Sequence, residues 1–166
     1  MSLDSRVLHA PDDGSLGPLL RMADDRLAPG AGYGPHVHRD VDVVVVVLAG
    51  SLRHEWGAGA ELAAGDVAVL RAGSGLRHDE VAGPAGARVV QTYLRAADPG
   101  GAPRHDVLGP AAGWVDLGRP DARLWIGRDG DDVPPGLRIV PADQVGPGTV
   151  LVWQLDTARP AWADQR

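Results

Sequence analysis

Gly34-Pro35-His36-Val37-His38-Arg39-Asp40 and, further along, Gly73-Ser74-Gly75-Leu76-Arg77-His78-Asp79-Glu80 decide how this chain is read. Each stretch holds two ligand-type side chains one residue apart: His36 with His38, then His78 with Glu80. In an extended strand, residues i and i+2 point to the same face. Two such strands facing each other across a small barrel bring three imidazoles and a carboxylate to one point. One His-x-His is a weak signal. Two same-face pairs, each behind a glycine-rich bend, predict a metal site.

The donor set narrows the chemistry. The sequence has no cysteine, so disulfides, thiolate nucleophiles and sulfur-ligated metals are excluded. Nitrogen and oxygen donors suit iron(II), nickel(II), cobalt(II), manganese(II), copper(II) or zinc(II). Four protein ligands on an octahedral ion leave two positions for substrate or dioxygen. Glu80 has a second role open to it, as the base that takes a proton from a substrate hydroxyl.

Working outward, glycine (23) and proline (14) are scattered between short apolar runs. That is the pattern of many short strands and tight turns in a sandwich or barrel. Sustained helical spacing is missing, so little helix is expected. Strands are expected over 19–26, 36–48, 51–56, 67–70, 76–81 and 87–94, with turns at Ala49-Gly50 and at 83–86. The valine run 43–47 reads as a strand buried on both faces. Residues 1–18 read as irregular, with turns at 11–14 and 17–18. A Pro/Gly-rich boundary at 97–103 divides a metal-binding barrel, 1–106, from a β extension, 107–166. The extension has candidate strands at 114–117, 122–127, 137–140 and 149–155, and its tail from 156 to 166 shows no pattern.

Charge and hydropathy exclude other classes. Net charge is −6 and the isoelectric point about 5.4, without a basic run, so no direct nucleic-acid or membrane partner is expected. No apolar run reaches membrane-spanning length, and the first residues lack the layout of a signal peptide. A cytoplasmic location is the expectation. All 16 cationic residues are arginine, which removes lysine Schiff-base catalysis. Neither a Gly-x-Ser-x-Gly elbow nor a phosphate-binding glycine loop before a helix is present.

Several motifs in order carry a family resemblance. Gly30-x5-His36-x-His38 and Gly65-Asp66 … His78 are similar to the two cupin motifs. The run 32–42 resembles the pirin family, its bacterial quercetinase-like members included. So do Leu48-Ala49-Gly50-Ser51-Leu52-Arg53-His54-Glu55, Gly65-Asp66-Val67 and the stretch 72–80, with 17–19 and 24–30 upstream. The resemblance covers roughly residues 12 to 104. It implies an all-β fold, a cupin (jelly-roll) barrel, with metal held by His36, His38, His78 and Glu80, and iron(II) as the metal. It also implies a small aromatic or enolisable substrate such as a flavonol, with dioxygen as co-substrate, as in quercetin 2,3-dioxygenases. The alternatives are a non-catalytic iron-binding regulatory protein of the pirin type and a cupin isomerase or cyclase. Two departures stand out. Asp42 lies where the family usually has Glu and is kept as a candidate beside the metal. The second half is short for a bicupin, so the extension reads as a truncated second cupin half.

The remaining candidates follow from position. Tyr33 and Trp56 are placed at the barrel mouth, where an aromatic substrate stacks. Met22, Val45, Val47 and Tyr93 are placed in the interior, and Tyr93 joins Tyr33, Asp42 and Trp56 as a candidate for the substrate pocket. His54, which matches a family position, reads as a hydrogen-bonded structural residue. His9 and His105 read as exposed, and Arg39 and Arg77 as pointing away from the metal. Four apolar segments in the extension need a surface to cover, which suggests a homodimer.

Overall fold

The valine run is the centre of the molecule. In the computed structural model, which describes residues 2–11, 13–144 and 148–158, Val43 to Val47 are each only 1–3 % exposed. They belong to β4 (Val41–Glu55), which pairs with β6 (Asp66–Arg71) on one side and with β7 (Leu76–Arg95) on the other. Both faces of β4 are covered, so every position in the run is apolar.

The alternation of side chains sorts the run into two cores. Val43, Val45 and Val47 face inward with Leu52, Leu62, Leu70, Leu76 and Val89; Tyr33, Trp56 and Tyr93 pack against this cluster. Val44 and Val46 face outward, together with Met22, Val67, Val69 and Val90, onto a second layer. That layer is a four-stranded sheet in the order β11-β12-β10-β9, formed by β9 (Gly113–Val115), β10 (Ala122–Arg128), β11 (Leu137–Ile139) and β12 (Thr149–Leu155). Its Leu124, Ile126, Leu151 and Trp153 close the outer core. The main sheet runs β1-β2-β7-β4-β6-β8, adding β1 (Leu3–His9), β2 (Leu19–Leu27) and β8 (Arg104–Pro110). β3 (His36–His38) pairs with β7, and β5 (Ala60–Ala63) with β4. All these pairings are antiparallel, and there is no helix among the described residues. The fold is an all-β cupin.

The four strands expected in the extension form with small boundary shifts, but three other expectations change. First, Ala49-Gly50 and 83–86 are bends and not reversals. β4 and β7 pass through them side by side, from Val41↔Arg95 to Glu55↔Asp79, with register shifts around Ala49 and Gly50. Gly50 has φ 70°, and a Cβ there would overlap the Gly86 carbonyl oxygen. Glycine serves here to let two backbones touch at a bulge, and its sequence signal is the same as that of a turn. Second, the expected strand 36–48 is broken. Asp40 sits at φ 52° and its Oδ1 accepts the Gly100 N–H at 2.8 Å, so β3 separates from β4. Third, 3–9 and 104–110 are strands. Both are mostly exposed, so neither carries an alternating apolar pattern. Met22 belongs to the outer core, not the interior. The tail from 159 to 166 and Asp12 of the expected 11–14 turn lie outside the described residues.

The extension's apolar strands cover the outer face of the main sheet. A second subunit is therefore not required to bury them. Among the described residues, no helix is long and apolar enough to cross a membrane.

Candidate metal centre

Two short strands bring the histidines together. His36 of β3 lies directly across from His78 of β7, and His38 across from Leu76. Alternation along β7 then turns Leu76, His78, Glu80 and Ala82 into the protein, all buried. Between the two β3 histidines, Val37 is 63 % exposed, as expected of the opposite face.

The three rings converge through the same atom. His36 Nε2 is 2.9 Å from His38 Nε2 and 3.0 Å from His78 Nε2. Two ring nitrogens bound to one ion at about 2.1 Å and at right angles are themselves about 3.0 Å apart, so each of these two pairs has the spacing of neighbouring ligands on one ion. The tautomer of His36 suits the same purpose. Its Nδ1 donates to the Gly34 carbonyl at 2.7 Å, which leaves the Nε2 lone pair free to face the centre. Gly34 at φ 79° occupies the left-handed region open to glycine, one residue before Pro35.

Burial keeps the His38 and His78 rings neutral. It pushes the His38 imidazole down to about 4, with the neighbouring His36 adding to the effect. His78 falls to about 3, through burial first and then through the imidazoles of His36, His54, His38 and His105. Neutral imidazole is the form that binds a metal. These three histidines form the group whose donor atoms all lie within 4.8 Å of one another. The residues present suit a divalent transition metal.

Glu80 lies on the same face of β7 as His78, but its carboxylate stands outside that group of three. It is 4 % exposed, and Oε2 accepts the Gln91 side-chain N–H at 2.7 Å. Burial pushes its carboxyl up to about 7; Asp25 and Asp79 push the same way, and the Gln91 hydrogen bond pulls against them. Gln91 Oε1 in turn accepts from the Tyr93 hydroxyl at 3.2 Å, and the Tyr93 ring lies 5.4 Å from that of His38. On the other side, the Tyr33 hydroxyl donates to buried Asp25 at 2.7 Å, and the Tyr33 ring is 6.4 Å from His36. Burial and Asp25 together hold the Tyr33 phenol well above its usual range. Trp56 is half-buried against the inner cluster.

Asp42 is displaced from the place expected of it. As an even-numbered residue of β4 it shares the outward face with Val44 and Val46, away from the histidines. Its Oδ2 accepts from Arg119 at 2.9 Å and from Arg71 at 3.1 Å. It ties the main sheet to the segment before β10 and takes no part in the centre. His105 and His9 also differ from expectation: both are half-buried within strands, and His105 stacks on His54 at 3.9 Å. Arg39 and Arg77 are exposed, as alternation requires.

Sequence reasoning missed Gln91, Asp25 and the His54–His105 stack. Gln91 was within reach, because it shares the inward parity of Val89 and Tyr93. The other two had no local signal.

The sequence profile of the pirin family matches residues 10–94, about half of the chain. The chain belongs to the pirin family. A pirin-like protein from Caulobacter vibrioides is 36 % identical over 98 residues, 57 % of this chain and 42 % of that protein. A putative quercetin 2,3-dioxygenase from Zymomonas mobilis is 40 % identical over 72 residues, 42 % of this chain and 31 % of that protein. The pirin chain thus spans less than half the length of the curated relatives it matches. Among solved structures, the nickel(II) complex of the bacterial pirin YhhW from Escherichia coli superposes with a TM-score of 0.65 at 20 % identity, over 93 % of this chain and 83 % of that one. A quercetin 2,3-dioxygenase from Acinetobacter baumannii gives 0.63 at 18 % identity, over 90 % of this pirin and 72 % of that chain. At such identities the superpositions speak for the fold. A metal is typical of this family, and the cluster of His36, His38 and His78 could hold one.

Proposed function

We propose that this pirin is a metal-dependent dioxygenase of the quercetinase type, acting on a small aromatic or enolisable substrate such as a flavonol. The observation that carries the reading is the convergence of three imidazoles on a strand face that also bears Glu80, a buried carboxyl raised to about 7. The names of the relatives supply the substrate class. His36, His38 and His78 would hold the ion, iron(II) by preference, with Glu80 as a fourth ligand or as the base beside it. The bound ion would supply Lewis acidity and a place for dioxygen.

The protein's own groups account for the proton. A base works best when its proton affinity is close to ambient pH, and burial gives Glu80 that value. Gln91 occupies Oε2 and fixes the carboxyl plane, so Oε1 is left to take the proton of the substrate hydroxyl. Tyr33, Tyr93 and Trp56 offer aromatic faces for a flat substrate, and the apolar cluster behind them excludes water. The division into a metal-binding barrel over 1–106 and a truncated second half over 107–166 belongs to the same reading, as does a cytoplasmic location.

The test is aerobic and anaerobic incubation of protein loaded with iron, nickel, cobalt, copper or manganese with a flavonol. Oxygen-dependent loss of the flavonol absorbance, abolished in His36→Ala, is expected. Absence of that loss with every metal would overturn the enzymatic reading and favour a non-catalytic metal-binding role.

A further inference from the structure

His54 lies on β4 beyond the Gly50 bend, across from Glu80. It is 1 % exposed. Its Nε2 is 2.7 Å from His78 Nδ1, while its own Nδ1 is buried without a hydrogen-bond partner. The ring is held flat against His105 of β8, with centroids 3.9 Å apart and planes at 22°. A buried polar atom without a partner is costly, so this arrangement calls for a reason.

The tautomers supply one. A neutral imidazole has one N–H and one bare nitrogen. His36 Nε2 is bare, because its Nδ1 donates to Gly34. In the metal-free protein His78 can donate from Nε2 to His36 and accept from His54 at Nδ1; the N–H groups of His36, His78 and His54 are then paired. An ion at the centre requires His78 Nε2 to be bare. The His78 proton must then sit on Nδ1 and be accepted by His54 Nε2, and the His54 proton moves to the partnerless Nδ1. No proton is gained or lost. Only a group that both donates and accepts at the same point can serve both states, and Nδ1, buried with no hydrogen-bond partner, ties the ring to neither tautomer.

We propose that His54, clamped by His105, is a positioning residue that switches the tautomer of His78 between metal-free and metal-bound states. It rests on the metal-site reading above and adds a partner outside the three ligands. Partners of this kind change metal affinity by about 10- to 100-fold when removed.

Cobalt(II) titration of the full chain, read by the visible absorbance of the ion and by competition with a chelator, tests this. His54→Phe keeps an aromatic ring against His105 but can neither donate nor accept; about 10- to 100-fold weaker binding is expected. His54→Gln can do both and should restore most of the affinity. Thermal unfolding of the metal-free variants checks that both are folded. In zinc-loaded wild-type protein, nitrogen-15 spectra should show a protonated His78 Nδ1 protected from exchange; this readout serves even if His54→Phe does not fold. Wild-type affinity in His54→Phe, or a bare His78 Nδ1 in the zinc form, would overturn the inference while leaving the metal site intact. Failure of the wild-type protein to bind any metal would overturn both.

Discussion

At the residue scale, the centre depends on burial as much as on ligand identity. His36→Ala removes the ring that both other Nε2 atoms face; elemental analysis of the purified variant should show loss of bound transition metal. Retention of the wild-type metal content would count against the site. A pH effect follows from the same burial. His78 and His54 ordinarily titrate near 6.5 but are pushed down to about 3 and about 4 in the folded protein. Between those limits the unfolded chain binds more protons than the folded one, so stability rises with pH there. The contribution is complete above about pH 6.5 and is lost as pH falls toward the folded values. Denaturant unfolding of metal-free protein should give a lower midpoint at about pH 5 than at about pH 7. Glu80, raised to about 7, pulls the other way over this range, because its folded form keeps a proton that the unfolded chain has lost. The comparison is therefore made in Glu80→Gln, where a midpoint that stays level would show that the imidazoles are not held neutral by the fold. Glu80→Gln should spare folding, because the carboxyl is already raised to about 7 by burial, and should abolish flavonol turnover if Glu80 is the base.

At the scale of elements, one long bent ribbon does most of the positioning. β4 and β7 stay paired through the bend at Gly50 and Gly86, which lets a single pair of strands contribute to the valine core and then present His54, His78 and Glu80. Gly50→Ala would have to adopt φ near 70° and push against the Gly86 carbonyl. Backbone strain of this kind costs about 1–3 kcal/mol before the overlap is counted. We therefore expect a clear drop in denaturant midpoint, with weaker metal binding because the His54 and His78 ends of the ribbon shift. Ala at Gly14, also left-handed but with open space around it, is the control and should cost less.

At the scale of the molecule, two layers are joined by a buried ion cluster. Asp42 and Arg119 are 3 % and 2 % exposed at their side chains, and Arg119 also holds Asp121. The neighbouring guanidinium keeps the Asp121 carboxyl below the usual carboxylate range. Removing one member of a buried pair leaves an uncompensated charge and typically costs about 3–5 kcal/mol; with Arg71 still on Asp42, the low end applies. Arg119→Ala should lower the melting temperature while leaving the metal content of the folded protein unchanged. A loss of metal at full stability would place Asp42 in the centre after all.

Much of this protein is legible in its amino-acid sequence alone. The spacing of His36 with His38 and of His78 with Glu80 is a local property, and a strand with period two obeys it wherever it lies. The valine run announces a strand covered on both faces for the same local reason. What sequence does not carry is which layer each face meets. Asp42 reads as a neighbour of the metal because it is near His38 in the chain, yet the break at Asp40 and the parity of β4 send it to the opposite side. The glycines at 50 and 86 read as turns, because a bulge and a reversal require the same freedom of φ. β1 and β8 escape notice because exposed edge strands carry no apolar alternation, and with β8 go His105 and its hold on His54. Local periodicity determined which side chains share a face. The pairing of strands distant in sequence decided what surrounds them, because burial and hydrogen-bond partners are set by contacts that no spacing along the chain records.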